Sequence, residues 1–140
     1  WGKQNPAYYL RAIAGGYERN GRNLVWGWGG IAAKVSASER ASEQFRSVFH
    51  QARYQLAATR FELAETQKGD QRAETLQKAE LDITRVFRLY PDMGGPEWYE
   101  KYDVLLKKIQ KARGVAVEGL KGQAAGAAQA PAAPSRAASK

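Results

Sequence analysis

Apolar side chains recur at spacings of three and four residues along most of the chain, which is the period of an amphipathic helix. Between residues 38 and 67 two such stripes run along the same predicted helix. A helix with two apolar stripes has neighbours on both sides, so we predict that this helix is central. The first stripe comprises Phe45, Phe49, Ala52, Leu56 and Leu63, and the second comprises Tyr54, Ala57, Ala58, Phe61 and Ala64.

Turn and capping residues divide the rest of the chain. Pro6 fits a first helical turn, Asn20-Gly21 is a turn signal, and Pro91 stops a helix. Ser36 and Glu39 have the spacing of a capping box, which predicts a helix start there. We therefore predict an all-α fold of antiparallel helical hairpins, with an N-terminal arm at residues 1–5 and a helical domain at 6–113. The predicted helices cover residues 6–20, 22–35, 38–67, 71–90 and 96–113.

The stretch LVWGWGGIAAK, residues 24–34, has three glycines and two tryptophans. It lacks the GxGxxG and P-loop patterns of a nucleotide cradle. We interpret it as a helix in which Gly27 and Gly30 form a notch for a neighbouring backbone, with Trp26, Ile31 and Ala33 in the core beside it. An edge strand is the alternative.

Residues 114–140 change in composition to Ala, Gly, Pro and Ser. Such small side chains bury too little apolar area to offset the entropy of ordering the chain, so we predict a flexible tail unless a neighbouring molecule holds it. Only VAVEGL, residues 115–120, alternates like a strand. Ser135 and Ser139 lie in a composition typical of O-glycosylated stalks.

Two hairpins share one register of large, small and aromatic positions, which resembles the tetratricopeptide repeat, a helix–turn–helix unit of about 34 residues. The resemblance covers about residues 7 to 91 and implies a short α-solenoid; an unrelated four-to-five-helix bundle is the alternative. The first unit departs from the family because Trp26 and Gly30 stand where small and large residues are expected. The packing residues that the resemblance implies are Leu10, Ile13, Ala14, Tyr17, Gly21, Trp26 and Gly30 in the first unit, and Tyr54, Ala57, Ala58, Phe61, Ala79, Ile83, Val86 and Pro91 in the second.

The net charge is +8 and the chain has no cysteine. The basic excess lies at the two ends, which suits an acidic protein face or an anionic glycan, with nucleic acid as the less favoured partner. No apolar run is long enough to span a membrane. Absence of cysteine leaves the compartment open; an exported or extracellular bacterial location is favoured over the cytoplasm.

The residue types for catalysis and metal binding are sparse. His50 is the single histidine, and no serine or cysteine nucleophile stands in a recognised frame with it. Carboxylate pairs such as Glu62/Glu65 lie among Lys and Arg. We therefore predict a non-enzymatic protein without catalytic, metal-binding or cofactor-binding residues, and we interpret His50 as a packed or surface side chain.

The predicted function is protein–protein interaction or scaffolding by tetratricopeptide-like hairpins. The alternative is a self-assembling subunit of a homopolymeric filament, in which the N-terminal aromatic segment or the C-terminal tail docks on the next copy. Nucleic-acid binding through the basic ends is a second alternative. The candidate partner contacts are Trp1, Tyr8, Tyr9, Trp28, Tyr99, Val115, Val117 and Leu120.

Overall fold

The computed structural model describes residues 5–17, 23–36 and 43–128, and within these ranges the chain forms six helices and one short hairpin. The all-α prediction is confirmed. The helices are α1 (Pro6–Ala14), α2 (Trp28–Ser36), α3 (Glu43–Glu65), α4 (Gly69–Leu89), α5 (Pro96–Arg113) and α6 (Gly119–Ala128), and the strands are β1 (Gly15–Tyr17) and β2 (Asn23–Trp26).

Helix α1 begins as predicted but ends early. The Asn5 side chain accepts a hydrogen bond from the Ala7 N–H at 3.0 Å, and Pro6 occupies the first turn. The helix ends at Ala14 because Gly15 adopts φ 86°, which an L side chain rarely tolerates. The predicted extension to residue 20 is therefore wrong, and residues 15–17 pair antiparallel with β2 instead.

The glycine-rich stretch is part strand and part helix. Residues 23–26 form β2, as the edge-strand alternative predicts, and α2 begins only at Trp28. Gly27, between them, is the close-packing position: a Cβ there would lie closer than 3.0 Å to the backbone of Ile13 and Gly15. Gly30 does not share this notch, because it is exposed and its nearest neighbour would be Trp26 Cβ at 3.8 Å.

Helix α3 is the centre of the fold. It contacts α1 and α2 as well as α4 and α5, which is the arrangement that two apolar stripes predict. Ser36, the predicted N-cap, is the last residue of α2, and its predicted capping-box partner Glu39 lies outside the described residues.

Helices α4 and α5 lie close to their predicted bounds because proline and glycine fix both ends of the connection. Helix α4 stops before Pro91, and α5 starts at Pro96 and ends at Gly114, which adopts the left-handed φ of 71° that caps helices. Three ion pairs at i,i+4 spacing lie along these two helices, Glu74–Lys78, Glu97–Lys101 and Asp103–Lys107, at 2.6, 2.6 and 2.7 Å.

The C-terminal segment is not wholly a tail, because Gly119–Ala128 forms helix α6 against α4 and α5. Residues 129–140, with Ser135 and Ser139, lie outside the described residues. Within the described ranges, none of the helices combines the length and apolar character needed to cross a membrane. The main apolar cluster joins α3, α4, α5 and α6 and comprises Phe49, Ala57, Ala79, Ile83, Val86, Met93, Tyr102, Leu105, Leu106, Ile109 and Leu120.

Gly27→Ala and Gly30→Ala should have opposite effects on stability. The first places a Cβ against backbone atoms that cannot yield, so we expect a loss of about 2 kcal/mol or more in the free energy of unfolding. The second adds a methyl group at an exposed helical position where there is space for it. We therefore expect the free energy of unfolding to rise by about 0.5–1 kcal/mol. Urea denaturation of both variants measures this, and equal effects would contradict the assignment of Gly27 as the contact point.

Candidate functional site

His50 lies in a pocket of aromatic rings between α3, the 90–95 turn and α5. Its imidazole centroid is 5.2 Å from the ring of Phe49, 6.1 Å from Tyr90, 6.4 Å from Trp98 and 6.1 Å from Tyr102. Most of these pairs meet edge to face, the favourable arrangement for aromatic groups. We call His50 and these four rings the aromatic pocket.

Two contacts fix the aromatic pocket to the backbone. The Tyr102 hydroxyl donates a hydrogen bond to the His50 carbonyl oxygen at 2.8 Å, which joins α5 to α3 in the core. The Gly94 backbone lies against the imidazole so closely that a Cβ would lie 2.6 Å from Nε2. Gly94 also has φ 81°, so both space and conformation require glycine at this position.

The imidazole is neutral at physiological pH. His50 is completely buried, and neither Nδ1 nor Nε2 has a hydrogen-bond partner among the protein atoms. Burial disfavours the charged form and lowers the pKa of His50 from 6.5 to about 4. The Asp92 carboxylate raises this pKa and the Arg46 guanidinium lowers it, and these two side chains lie 3.9 Å apart.

This geometry favours a packing role for His50 over acid–base catalysis. A general base must come within hydrogen-bond reach of the proton it removes, and here the rings and Gly94 cover the imidazole. The Tyr102 phenol is equally enclosed, and burial raises its pKa. Among the residues in the described ranges, no three His, Asp or Glu side chains converge as metal ligands would.

A second polar group lies on the α3–α4 hairpin. The charges of Arg53 and Arg60 on α3 and of Arg85 on α4 act on the largely buried carboxylate of Asp82. Arg60 forms a hydrogen-bonded ion pair with Asp82, whereas Arg53 lies over the Phe49 ring, with its guanidinium carbon 5.4 Å from the ring centroid. We call Arg53, Arg60, Arg85 and Asp82 the arginine cluster.

The arginine cluster carries more positive charge than its own carboxylate neutralises. The buried Nε of Arg53 has no hydrogen-bond partner among the protein atoms. Desolvation raises the pKa of Asp82 and outweighs the opposing effect of Arg60, Arg53 and Arg85. A partly buried cationic group of this kind attracts anions more strongly than a fully solvated one, because the local dielectric is lower.

A surface depression beside the start of α4 is less suited to a ligand than the arginine cluster. It measures about 540 Å³ and lies between the start of α4 and the end of α5. Both of its arginines are already engaged: Arg72 bonds to Glu65 and to the Ala112 carbonyl oxygen, and Arg113 pairs with Glu80.

The predicted packing residues of the second hairpin lie together, whereas those of the first do not. Ala57, Ala79, Ile83 and Val86 are buried in the main cluster, Tyr54, Ala58 and Phe61 pack against it, and Pro91 is an exposed turn residue. In the first hairpin Leu10 is 55% and Trp26 is 49% exposed, Ala14 and Gly30 are exposed, and Ile13 is half-buried. The predicted packing is wrong for the four exposed residues, because β1 and β2 replace the helical turn of this hairpin. The side chain of Tyr17 and all of Gly21 lie outside the described part.

The predicted partner contacts separate into surface and core residues. Tyr8, Val115 and Val117 are exposed, and Trp28 and Tyr99 are half-buried, with Tyr99 packed edge to face on Phe87. Tyr9 and Leu120 are buried, so their assignment as surface contacts is wrong. Trp1 lies outside the described residues. Sequence reasoning missed the arginine cluster, although Arg46, Arg53 and Arg60 recur every seven residues and so share one face of α3.

His50 should make the fold less stable in mild acid. Because its pKa is lower in the folded chain than the ordinary 6.5, the unfolded chain takes up the proton first as the pH falls. Its contribution is complete above pH 6.5 and is lost as the pH falls from 6.5 through about 4. We expect a loss of up to about 3 kcal/mol in the free energy of unfolding over this window. Urea denaturation across the pH range measures it.

His50→Leu is the matched control for this pH dependence. Leucine fills the site without a titrating group, so the difference between wild type and variant should grow steadily with pH from about 4 to 6.5. Asp82 acts in the opposite direction, because its raised pKa makes acid favourable to the fold, and subtraction of the two curves removes this effect. Parallel curves for the two proteins would contradict a neutral, buried imidazole.

Comparison of the chain with protein-family models, with curated proteins and with solved structures found no match. The resemblance to tetratricopeptide repeats stays a prediction. The function is therefore argued from the surfaces and polar groups that the fold itself presents.

Proposed function

We propose that the protein is a non-enzymatic helical interaction module whose α3–α4 hairpin binds an acidic protein segment. The observation that carries the proposal is the arginine cluster, in which Arg60 pairs with the largely buried Asp82 carboxylate while the buried Nε of Arg53 has no hydrogen-bond partner among the protein atoms. An acidic side chain from a partner would supply the missing negative charge. Arginine is well suited to this role because its planar donors can engage a carboxylate in two parallel hydrogen bonds.

The outer face of α4 extends this cluster. Leu81, Arg85, Arg88 and Leu89 recur at spacings of three and four residues and are all exposed, so they share one side of the helix. Leu89 is 70% exposed and Leu81 is 38% exposed. Arg85 and Arg88 form no ion pair or hydrogen bond with other described residues. This face therefore offers apolar and cationic contacts together.

An amphipathic acidic helix matches this face better than nucleic acid does. Such a helix would bury its apolar side chains against the two leucines and place its carboxylates beside the arginines. A nucleic-acid backbone presents phosphates to the arginines, but it has no apolar surface that would bury the exposed leucine side chains. Arg53 and Arg60 are partly buried, so a single acidic side chain can reach them more easily than the phosphate backbone of a nucleic acid can.

The proposal retains the tetratricopeptide-like interpretation for the second hairpin. Repeats of this kind offer the exposed faces of packed helices to a partner. Support comes from the small buried side chains Ala57 and Ala79, which let α3 and α4 approach closely. The N-terminal residues 5–36, with their short strands, would then cover the other side of α3 rather than form a second repeat.

Charge reversal at Arg85 and Arg88 should weaken binding of an acidic amphipathic peptide. The probe is a fluorescein-labelled peptide designed as a helix with leucine on one face and glutamate beside it, and its binding is measured by fluorescence anisotropy. We expect Arg85→Glu/Arg88→Glu to raise the Kd at least about tenfold. The affinity of the wild type should also fall as salt is added, since exposed charges are screened.

Lys108→Glu/Lys111→Glu is the matched control, because it makes the same change in charge on the exposed face of α5. We expect it to raise the Kd less than about threefold, a purely long-range effect. Equal losses in both variants would show attraction by net charge alone and would overturn the site. A single-stranded oligonucleotide that displaces the peptide at equal concentration would replace the proposal with nucleic-acid binding. Circular dichroism of each variant confirms folding.

A further inference from the structure

Helix α5 holds the start of α6 through its backbone. Gln110 Oε1 accepts hydrogen bonds from the N–H groups of Glu118 and Gly119 at 3.0 and 2.9 Å, and Asp103 Oδ1 accepts one from the Leu120 N–H at 2.8 Å. The first N–H groups of a helix have no partner within it, and the carboxylate of Asp103 also favours the positive end of the helix dipole. These contacts would hold any backbone in the same position.

Two features of the site select the residue types at positions 119 and 120. Leu120 is completely buried in the main cluster beside Leu106 and Ile109. Gly119 has φ 64°, and a Cβ there would lie 2.7 Å from Lys107 Cε and closer still to Asp103 Oδ1. The site therefore accepts a glycine followed by a leucine. We call Asp103, Gln110 and the pocket that Leu120 fills the Gly-Leu receptor.

The described residues of α6 after Leu120 are exposed or only half-buried. Helix α6 has ten residues rich in alanine and glycine, and a helix this short is not stable alone in water. Lys121 and Ala124 are exposed. Among the described contacts of α6, three hydrogen bonds and one leucine attach it to α5, which places it among the segments that open at low cost in free energy.

The connection from α5 to α6 is suited to an extended conformation. Val115 and Val117 are 43% and 52% exposed, so the closed form leaves two apolar residues in water. Valine favours extended backbone because its branched side chain restricts χ1. Gly114, at the end of α5, gives the chain a pivot with φ 71°. A short apolar connection of this kind can straighten and carry α6 away from its own α5.

We propose that the Gly-Leu receptor also takes the α6 segment of a second copy, so that the protein self-associates by exchange of residues 118–128. Every contact of the closed form can be re-formed between copies, and the cost is mainly the entropy of association. Exchange therefore rises with protein concentration. A reciprocal exchange closes as a dimer. This inference does not depend on the arginine cluster, which lies on other residues.

Energy transfer between two pools of full-length chain tests the exchange. The chain has no cysteine, so Ala124→Cys carries a donor dye on α6 in one pool, and Lys108→Cys carries an acceptor on α5 in the other. We expect transfer that increases with total concentration, together with a rise in mass by light scattering. No transfer at any concentration would show that α6 stays on its own chain and would overturn the proposal.

Leu120→Ala in both pools should lower the apparent association constant at least about tenfold. Loss of this buried side chain weakens the closed and the exchanged forms alike, so chains with α6 detached, which make neither set of contacts, replace the exchanged dimer. Lys121→Ala, at the exposed neighbouring position, should leave it unchanged. Transfer that survives Leu120→Ala would mean association through another surface and would overturn the exchange. If Leu120→Ala unfolds the chain by circular dichroism, Gly119→Ala takes its place, since it obstructs the Gly-Leu receptor but keeps the leucine.

Discussion

Helix α3 has to bury apolar side chains on more than one side, and the arrangement of the other helices follows from this requirement. Phe49, Ala52, Leu56 and Leu63 are almost fully buried, as are Ala57 and Ala64, which lie on a different side of the helix. One neighbouring hairpin could not cover both sides. Helices α1 and α2 therefore pack on α3 together with α4 and α5, and the α3–α4 hairpin keeps the outer face of α4 exposed.

The turn at residues 90–95, which contributes to the aromatic pocket, is packed into the core. Met93 is buried although its φ is 52°, a conformation that costs a non-glycine residue about 1 kcal/mol or more. Gly94 then brings the backbone onto the imidazole of His50. The buried Met93 side chain and the surrounding rings offset that cost. The turn is thus part of the core, and a change in the charge of His50 acts directly on the connection between α4 and α5.

The sequence predicts the second half of the chain well and the first half poorly, for physical reasons. Around α4 and α5, apolar periodicity agrees with proline and glycine at the ends, so local and tertiary preferences coincide. Between residues 15 and 30, glycines permit helix, strand and turn alike, and the close approach at Gly27 selects among them. The burial of Leu120, which we predicted to be a partner contact, was missed because one leucine among alanines and glycines has no periodicity. Its receptor residues, Asp103 and Gln110, read as ordinary polar positions on a helix.

Recognition of α6 through its backbone has a consequence for how related sequences can diverge. The exposed Lys121 and Ala124 can be exchanged freely. Gly119, in contrast, has to stay nine positions after an acceptor at 110, and Leu120 has to stay 17 positions after an acceptor at 103. Loss of the glycine-leucine pair would leave the Asp103 and Gln110 side chains without their backbone donors. Across homologues the residue types at these four positions should therefore be conserved or replaced together, while the neighbouring positions vary independently.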